Sequence, residues 1–330
     1  MSITSVLSRC ACTALVCLWW NTACAEQTLV VYTSLKESMI GQLHRAFIDK
    51  YPEIRMQYRS AGAGSLMARI AAERAAGGVQ ADILWTADIP DFYRLKAQGL
   101  LQPYVPAEIR AVLQPLPDYD GSFTAARLAT VGIAYNTRSV KDAPTAWSDL
   151  KKPAFAGALA IADPTLSGTS FMSVAVLSTH FGWTFFEDLR ANGTKMGQGS
   201  SQVIDDTAAG NLAASLTADY VALDKIDNGA PIALAYPPEL ILIPSPIAIF
   251  KGSPNLKAAK AFVDFVLSRE GQTIIANEGT LPVRPDVTVP ARYNLPPVAE
   301  ALRRAMKIDY RQMIADKDET LRRFGEIMRR

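Results

Sequence analysis

Hydroxyl-bearing residues recur at four places where the chain reads as entering a helix. Thr33 and Ser34 follow a strand at residues 29–32, and the loop SAGAGS, residues 60–65, follows a strand at residues 54–59. The loop TLSGTS, residues 165–170, follows a strand at residues 158–162, and Gly199, Ser200 and Ser201 precede a helix starting near Gln202. Serine or threonine at such a position has two uses. It caps the helix by accepting from a first-turn N–H, a bond worth about 1 kcal/mol, or it joins the unpaired first-turn amides in donating to a bound anion. One loop alone reads as a cap. Four loops, two from each half of the chain and all at the same end of their sheets, converge on one cleft if the halves face each other. That arrangement favours an anion.

Other candidates stand beside these loops. Lys36 either places a point charge at the cleft or is a solvated first-turn lysine. Thr86 and Asp88 end a third strand; Asp88 accepts from a ligand or caps the helix that starts at Ile89. Tyr220 and Tyr236 are donors from the second half of the chain, or packing residues. Catalytic constellations are thin. The two histidines, His44 and His180, fall on helices away from the loop ends, and no G-x-S-x-G nucleophile turn occurs. In SAGAGS the third glycine of a dinucleotide loop is replaced by Met67, and there is no G-x-x-x-x-G-K-[ST]. Asp205 and Asp206 are adjacent, so on a helix they point about 100° apart and cannot share one proton. No active site emerges.

These loops need a scaffold large enough to aim them. A 330-residue chain with 49% hydrophobic residues buries a sizeable core, and its length favours two lobes. A formal net charge of +2, spread along the chain, excludes a concentrated basic face for nucleic acid. Only the tail is locally basic, with Arg322, Arg323, Arg329 and Arg330, and interleaved acids make it a solvated helix face. Residues 1–25 read as an export signal: Arg9, an apolar run over residues 10–20, and Ala23-Cys24-Ala25 as a small-x-small cleavage site. All four cysteines (Cys10, Cys12, Cys17, Cys24) lie in that segment, so the mature chain is expected to have no disulfide, thiolate metal site or cysteine nucleophile. Lipid attachment at Cys24 is disfavoured because Asn21 stands where that signal has an apolar residue.

Strands alternating with helices imply an α/β fold with mostly parallel sheets, whose ligands sit at the C-terminal ends of the strands. A strand-like run at residues 125–136 and a return at 232–250 read as two crossings between lobes. The expected organisation is residues 26–124 with 237–330 as lobe 1, and residues 125–236 as an inserted lobe 2 on a two-strand hinge.

Taken in order, LVVYTSLKES, ADILWTADIPDF, GIAYNTR, IADPTLSGTS and KAAKAFVDFVLSREGQ resemble the periplasmic solute-binding proteins of ABC importers, over about residues 29–285. The branch is the one that includes ferric-ion, organophosphate, phosphonate and thiamine binders. The resemblance implies a hinge-closing type II-like receptor that acts as a monomer, delivers its solute to an inner-membrane permease, and is not an enzyme. Ferric binders of this branch use a histidine after the first strand, a glutamate after the third and two adjacent tyrosines. Here those places hold Leu35-Lys36, Ala87 and Asp219-Tyr220, so one ligand of four survives and no resident metal or cofactor is expected. Ser167-Gly168-Thr169 matches the family's anion loop, and Ser200-Ser201 falls where another anion contact is expected. The resemblance therefore points to an organic phosphate or phosphonate, with SAGAGS as one wall of the cradle: Gly62 and Gly64 admit the backbone, and Ser60 and Ser65 donate. Two alternatives remain: ferric ion held by Tyr220 and Asp219 with a synergistic anion, and an exported hydrolase or transferase using Ser34 or Ser200 as nucleophile.

Overall fold

The computed structural model describes residues 27–116 and 120–329; the export segment, its cysteines and Arg330 lie outside them. In chain order the first elements are β1 (Gln27–Thr33), α1 (Glu37–Lys50), β2 (Ile54–Ser60), α2 (Ala63–Ala75), β3 (Ile83–Trp85), α3 (Ile89–Ala97) and β4 (Leu101–Gln102). The long strand β5 (Thr124–Asn136) leads to β6 (Leu159–Ala162), α4 (Gly168–Phe181), α5 (Thr184–Ala191), β7 (Lys195–Gly197), α6 (Ser200–Ala209), β8 (Ala214–Ala218), α7 (Asp219–Asp227) and β9 (Ile232–Ala235). The remainder is β10 (Ile241–Phe250), α8 (Leu256–Leu267), α9 (Arg269–Asn277), α10 (Val298–Arg304), α11 (Tyr310–Ala315) and α12 (Lys317–Arg329).

Side-chain periodicity explains these elements. In β2, Ile54 and Met56 are buried while Arg55, Gln57 and Arg59 are exposed, the alternation of an edge strand with one wet face. In α1, Met39, Ile40, Leu43 and Phe47 are buried on one stripe, and Phe47 meets Phe262 of α8 edge-on at 5.1 Å. Such a pair adds about 0.5–1.5 kcal/mol beyond area burial, which ties the two helices over the same sheet face.

The strands run in the order β2-β1-β3-β10-β5-β8-β6-β7, with β4 on β10 and β9 on β5. β1 is parallel to β2 and β3, and β6 is parallel to β7 and β8. The antiparallel pairs centre on β5 and β10. One end of β5 pairs with β10 and its other end with β8 and β9, so this strand passes from one parallel group to the other. Pro244 and Pro246, which interrupt the apolar run in the sequence, lie inside β10. The register shifts between Ser245 and Pro246, and such a bulge is where a strand tolerates missing N–H donors. No described helix is long and apolar enough to cross a membrane.

The C-terminal end departs from the expectation that residues 237–330 all join the first lobe. Thr320, Phe324, Ile327 and Met328 form a buried stripe on α12, and that stripe faces α4 and α5 of the second group. Phe324 stacks edge-on to Phe186 at 5.3 Å, Arg323 lies 4.9 Å over Trp183, and the Lys317 ammonium lies 5.2 Å over Phe171. α11 stays on α3 of the first group, so the chain crosses once more between these two helices. Arg322 pairs with Glu319 and Glu326 on the exposed side of α12.

Candidate functional site

Four helix starts enclose one cleft of about 610 Å³. Its walls are residues 34–37 entering α1, residues 60–63 and 65 entering α2, residues 166–169 entering α4 and residues 198–202 entering α6. One face of α7 completes it with Tyr220, Val221, Asp224 and Lys225. Of the residues singled out in the sequence, Ser34, Lys36, Ser60, Gly62, Ser65, Ser167, Gly168, Thr169, Ser200, Ser201 and Tyr220 are thus brought together.

Which hydroxyls cap and which stay available is now visible. The N-cap positions of α1, α2 and α6 are Lys36, Gly62 and Gly199, and none makes a side-chain cap bond. The first-turn amides of those helices have no intrahelical partners, so they offer donors to the cleft. Only Ser167 caps, accepting from the Ser170 N–H at 3.2 Å. Its Oγ also sits 2.8 Å from Ser200 Oγ, which joins the α4 and α6 starts. Ser60 caps nothing: it donates to the Leu35 carbonyl at 2.7 Å and so ties the α1 and α2 loops. α2 begins at Ala63, inside the SAGAGS loop, and α6 begins at Ser200 rather than near Gln202. Ser65, Ser200 and Ser201 are therefore first-turn residues.

Five other predicted residues lie outside the cleft wall. Thr33 is fully buried, donating to the Trp85 carbonyl at 2.9 Å and accepting from the Leu35 N–H at 3.1 Å. Thr86 is buried, and its carbonyl accepts from Ser245 Oγ. Asp88 does not reach the cleft, because Lys317 Nζ donates to both its oxygens at 2.9 Å and to Asp91 at 2.8 Å. Burial, then repulsion from Asp91, raises the Asp88 carboxyl to about 6, with Lys317 opposing. The Tyr236 hydroxyl is buried without a hydrogen-bond partner, and burial pushes it well above the usual phenol range. Gly64 lies behind the wall for a reason the sequence did not disclose. A Cβ there would stand 2.1 Å from the Thr165 carbonyl oxygen, and one at Gly62 would stand 2.5 Å from that of Leu166. The nearest neighbour of both glycines is thus the backbone of the facing loop. A Cβ at Gly168 would meet Asp88 N and Cβ at 2.8 Å.

Several cleft residues were missed. Asp224 and Lys225 follow Tyr220 by four and five residues on α7, and the i, i+4 spacing was a usable signal for Asp224. Gln198 and Gln202 flank the Ser200-Ser201 pair. Both lysines in the wall are already matched: Lys36 lies 2.9 Å from Glu278 and 3.3 Å from Asp224, and Lys225 lies 2.6 Å from Asp205. The Lys36–Asp224 pair also joins α1 to α7 across the cleft.

The alternatives can be weighed on the same geometry. Asp219 is fully buried and accepts from the Thr130 N–H at 2.9 Å and the Tyr220 N–H at 2.7 Å, so neither oxygen faces the cleft as a metal donor. Burial raises this carboxyl to about 7. No group of three His, Cys, Asp or Glu residues placed to hold a metal occurs among the described residues. His44 and His180 have ring nitrogens against the carbonyls of Met56 and Lys307, and neither lines the cleft beside Ser34 or Ser200.

The sheet joins two strand groups through β5 and β10, and helix starts from both groups line one cleft. Residues 28–280 match the profile of the bacterial extracellular solute-binding protein family, and the chain belongs to it. A putative 2-aminoethylphosphonate-binding periplasmic protein of Salmonella typhimurium is 25% identical over 298 residues, covering 86% of each chain. Two solved structures share the fold. The periplasmic binding protein AfuA of Actinobacillus pleuropneumoniae, solved with fructose-6-phosphate, superposes with a TM-score of 0.76 at 24% identity, covering 92% of this chain and 98% of AfuA. Iron-bound HitA of Pseudomonas aeruginosa superposes at 0.75 with 24% identity, covering 91% and 99%. The fold is therefore that of a two-lobed periplasmic binding protein, and the family is one of solute-binding proteins.

Proposed function

We propose that the chain is exported and, as a monomer, closes over an organic phosphate or phosphonate. The signal at residues 1–25 would be removed. β5 and the segment from β9 to β10 serve as the hinge, with residues 125–236 and α12 moving as one lobe. The observation that carries this reading is the meeting of four helix starts in one cleft, three of them without a side-chain cap. An anion at a helix N-terminus gains about 1 kcal/mol, so four supply on the order of 4 kcal/mol, roughly a thousandfold in affinity. Seryl hydroxyls add neutral donors, which suit tetrahedral oxyanions rather than a hard metal ion.

Calorimetric titration tests this. The panel is 2-aminoethylphosphonate, glycerol phosphates, sugar phosphates, inorganic phosphate, ferric citrate and the matching uncharged sugars. Tight binding is expected for at least one phosphonate or phosphate ester, with none for the uncharged sugars. Binding of the sugars alone, or a visible charge-transfer band with ferric ion in place of phosphate binding, would overturn the assignment.

A further inference from the structure

Among the described residues, an anion in this cleft meets no unpaired cation in the wall. Lys36 and Lys225 are the ammonium groups lining it, and both are held by carboxylates, while Glu37 and Asp224 add negative charge to the same surface. Positive charge lies one layer deeper. Arg127 on β5 is completely buried, with its guanidinium carbon 4.1 Å from the centre of the Tyr220 ring, and Tyr220 also lines the cleft. Its Nη1 reaches Thr280 Oγ1 at 3.4 Å, and its Nε and Nη2 have no hydrogen-bond partner. A fully buried, under-bonded guanidinium is costly to keep unless something balances its charge. The nearby carboxylate, Asp219, is turned to the main-chain N–H groups of Thr130 and Tyr220.

We propose that Arg127 is the counter-charge of the bound anion: sealed behind Tyr220, it favours a doubly charged oxyanion in the cleft over a singly charged one without touching either. This rests on the reading of the cleft as an anion cradle. Van der Waals contact on the far side of the ring adds about 4 Å, which puts the two charges roughly 8 Å apart. At that separation, with solvent excluded by closure, a Coulombic preference remains that bulk water would erase. Tyr220 meanwhile blocks direct pairing, so release stays fast enough for delivery.

The test compares ethylphosphonate with ethanesulfonate by calorimetry, above the second ionisation of the phosphonate. The two guests have similar shape and differ by one charge. The wild-type chain is expected to prefer the phosphonate by roughly tenfold or more. Arg127→Lys should keep that ratio and Arg127→Met should bring it towards one. Should Arg127→Met fail to fold by circular dichroism, the same ratio is read in Arg127→Gln combined with Asp219→Asn. That pair removes both buried charges and leaves no orphan carboxylate. An unchanged ratio in either folded variant, or no preference in the wild-type chain, overturns the counter-charge and leaves the cradle standing. Failure of both anions to bind wild type overturns the two together.

Discussion

Replacing Gly64 by valine is expected to weaken solute binding roughly a hundredfold while the unliganded chain stays folded. The new Cβ would stand 2.1 Å from the Thr165 carbonyl oxygen, and both partners are backbone, so no rotamer change relieves the clash. Real Cβ contacts do not come this close, and the facing loop must retreat. Gly64 lies in the first turn of α2 without a positive φ, so a side chain there is compatible with the helix itself. Removing a helical glycine even helps the isolated element slightly. Overpacking of this kind costs about 3 kcal/mol, which taken from the closed state alone is roughly a hundredfold loss of affinity. Gly168→Val should behave the same way, because its Cβ would meet Asp88 N and Cβ at 2.8 Å. Calorimetry paired with thermal melting of the ligand-free protein checks both. Wild-type affinity in both variants would show that these segments do not meet in the bound state.

Lys317→Met is expected to destabilise the chain by about 3–5 kcal/mol. Lys317, Asp88 and Asp91 are all buried, and one ammonium holds two carboxylates. Deleting one partner of a buried ionic group costs about 3–5 kcal/mol, because Asp88 loses the ammonium that both its oxygens share and Asp91 keeps only Arg94, at 3.3 Å. The sign of the pH dependence follows from the Asp88 carboxyl, already raised to about 6 by burial and by Asp91. Without Lys317 the opposing pull is gone and the proton is held to still higher pH. A carboxyl whose folded pKa lies above its unfolded one costs stability above the folded pKa, and the cost fades as pH falls towards the unfolded value. The deficit of the variant should therefore be largest in alkaline buffer and shrink on acidification through about pH 6. Melting curves of both proteins across that range measure it. A deficit that does not change with pH would mean that the lysine contributes packing rather than charge.

The same residue shows where sequence reading stopped. Alternating strands and helices could be read because each depends on local periodicity: the β2 alternation and the α1 stripe are visible within a dozen residues. The four loops could be read for the same reason, since a hydroxyl beside a helix start is a local signature. What each hydroxyl does could not. Ser60 and Ser167 look alike in sequence, yet one donates to Leu35 across loops and the other caps α4. Asp88 reads in sequence as a ligand contact or a helix cap because its partner lies far down the chain in α12, where the arginines and interleaved acids read only as a solvated face. The glycines of SAGAGS suggested close approach, and the approaching group proved to be the backbone of a distant loop. Short strands such as β4 and β7 carry too few residues for any period to register.

The most direct test of the central claim, that amide dipoles from both lobes hold one anion, is a crystal structure with an alkylphosphonate bound. The expected density places the phosphonate oxygens within hydrogen-bond reach of first-turn amides at the α1, α2, α4 and α6 starts, with Ser167 and Ser200 alongside. A phosphonate that binds away from these helix starts, or that leaves them hydrated, would contradict it.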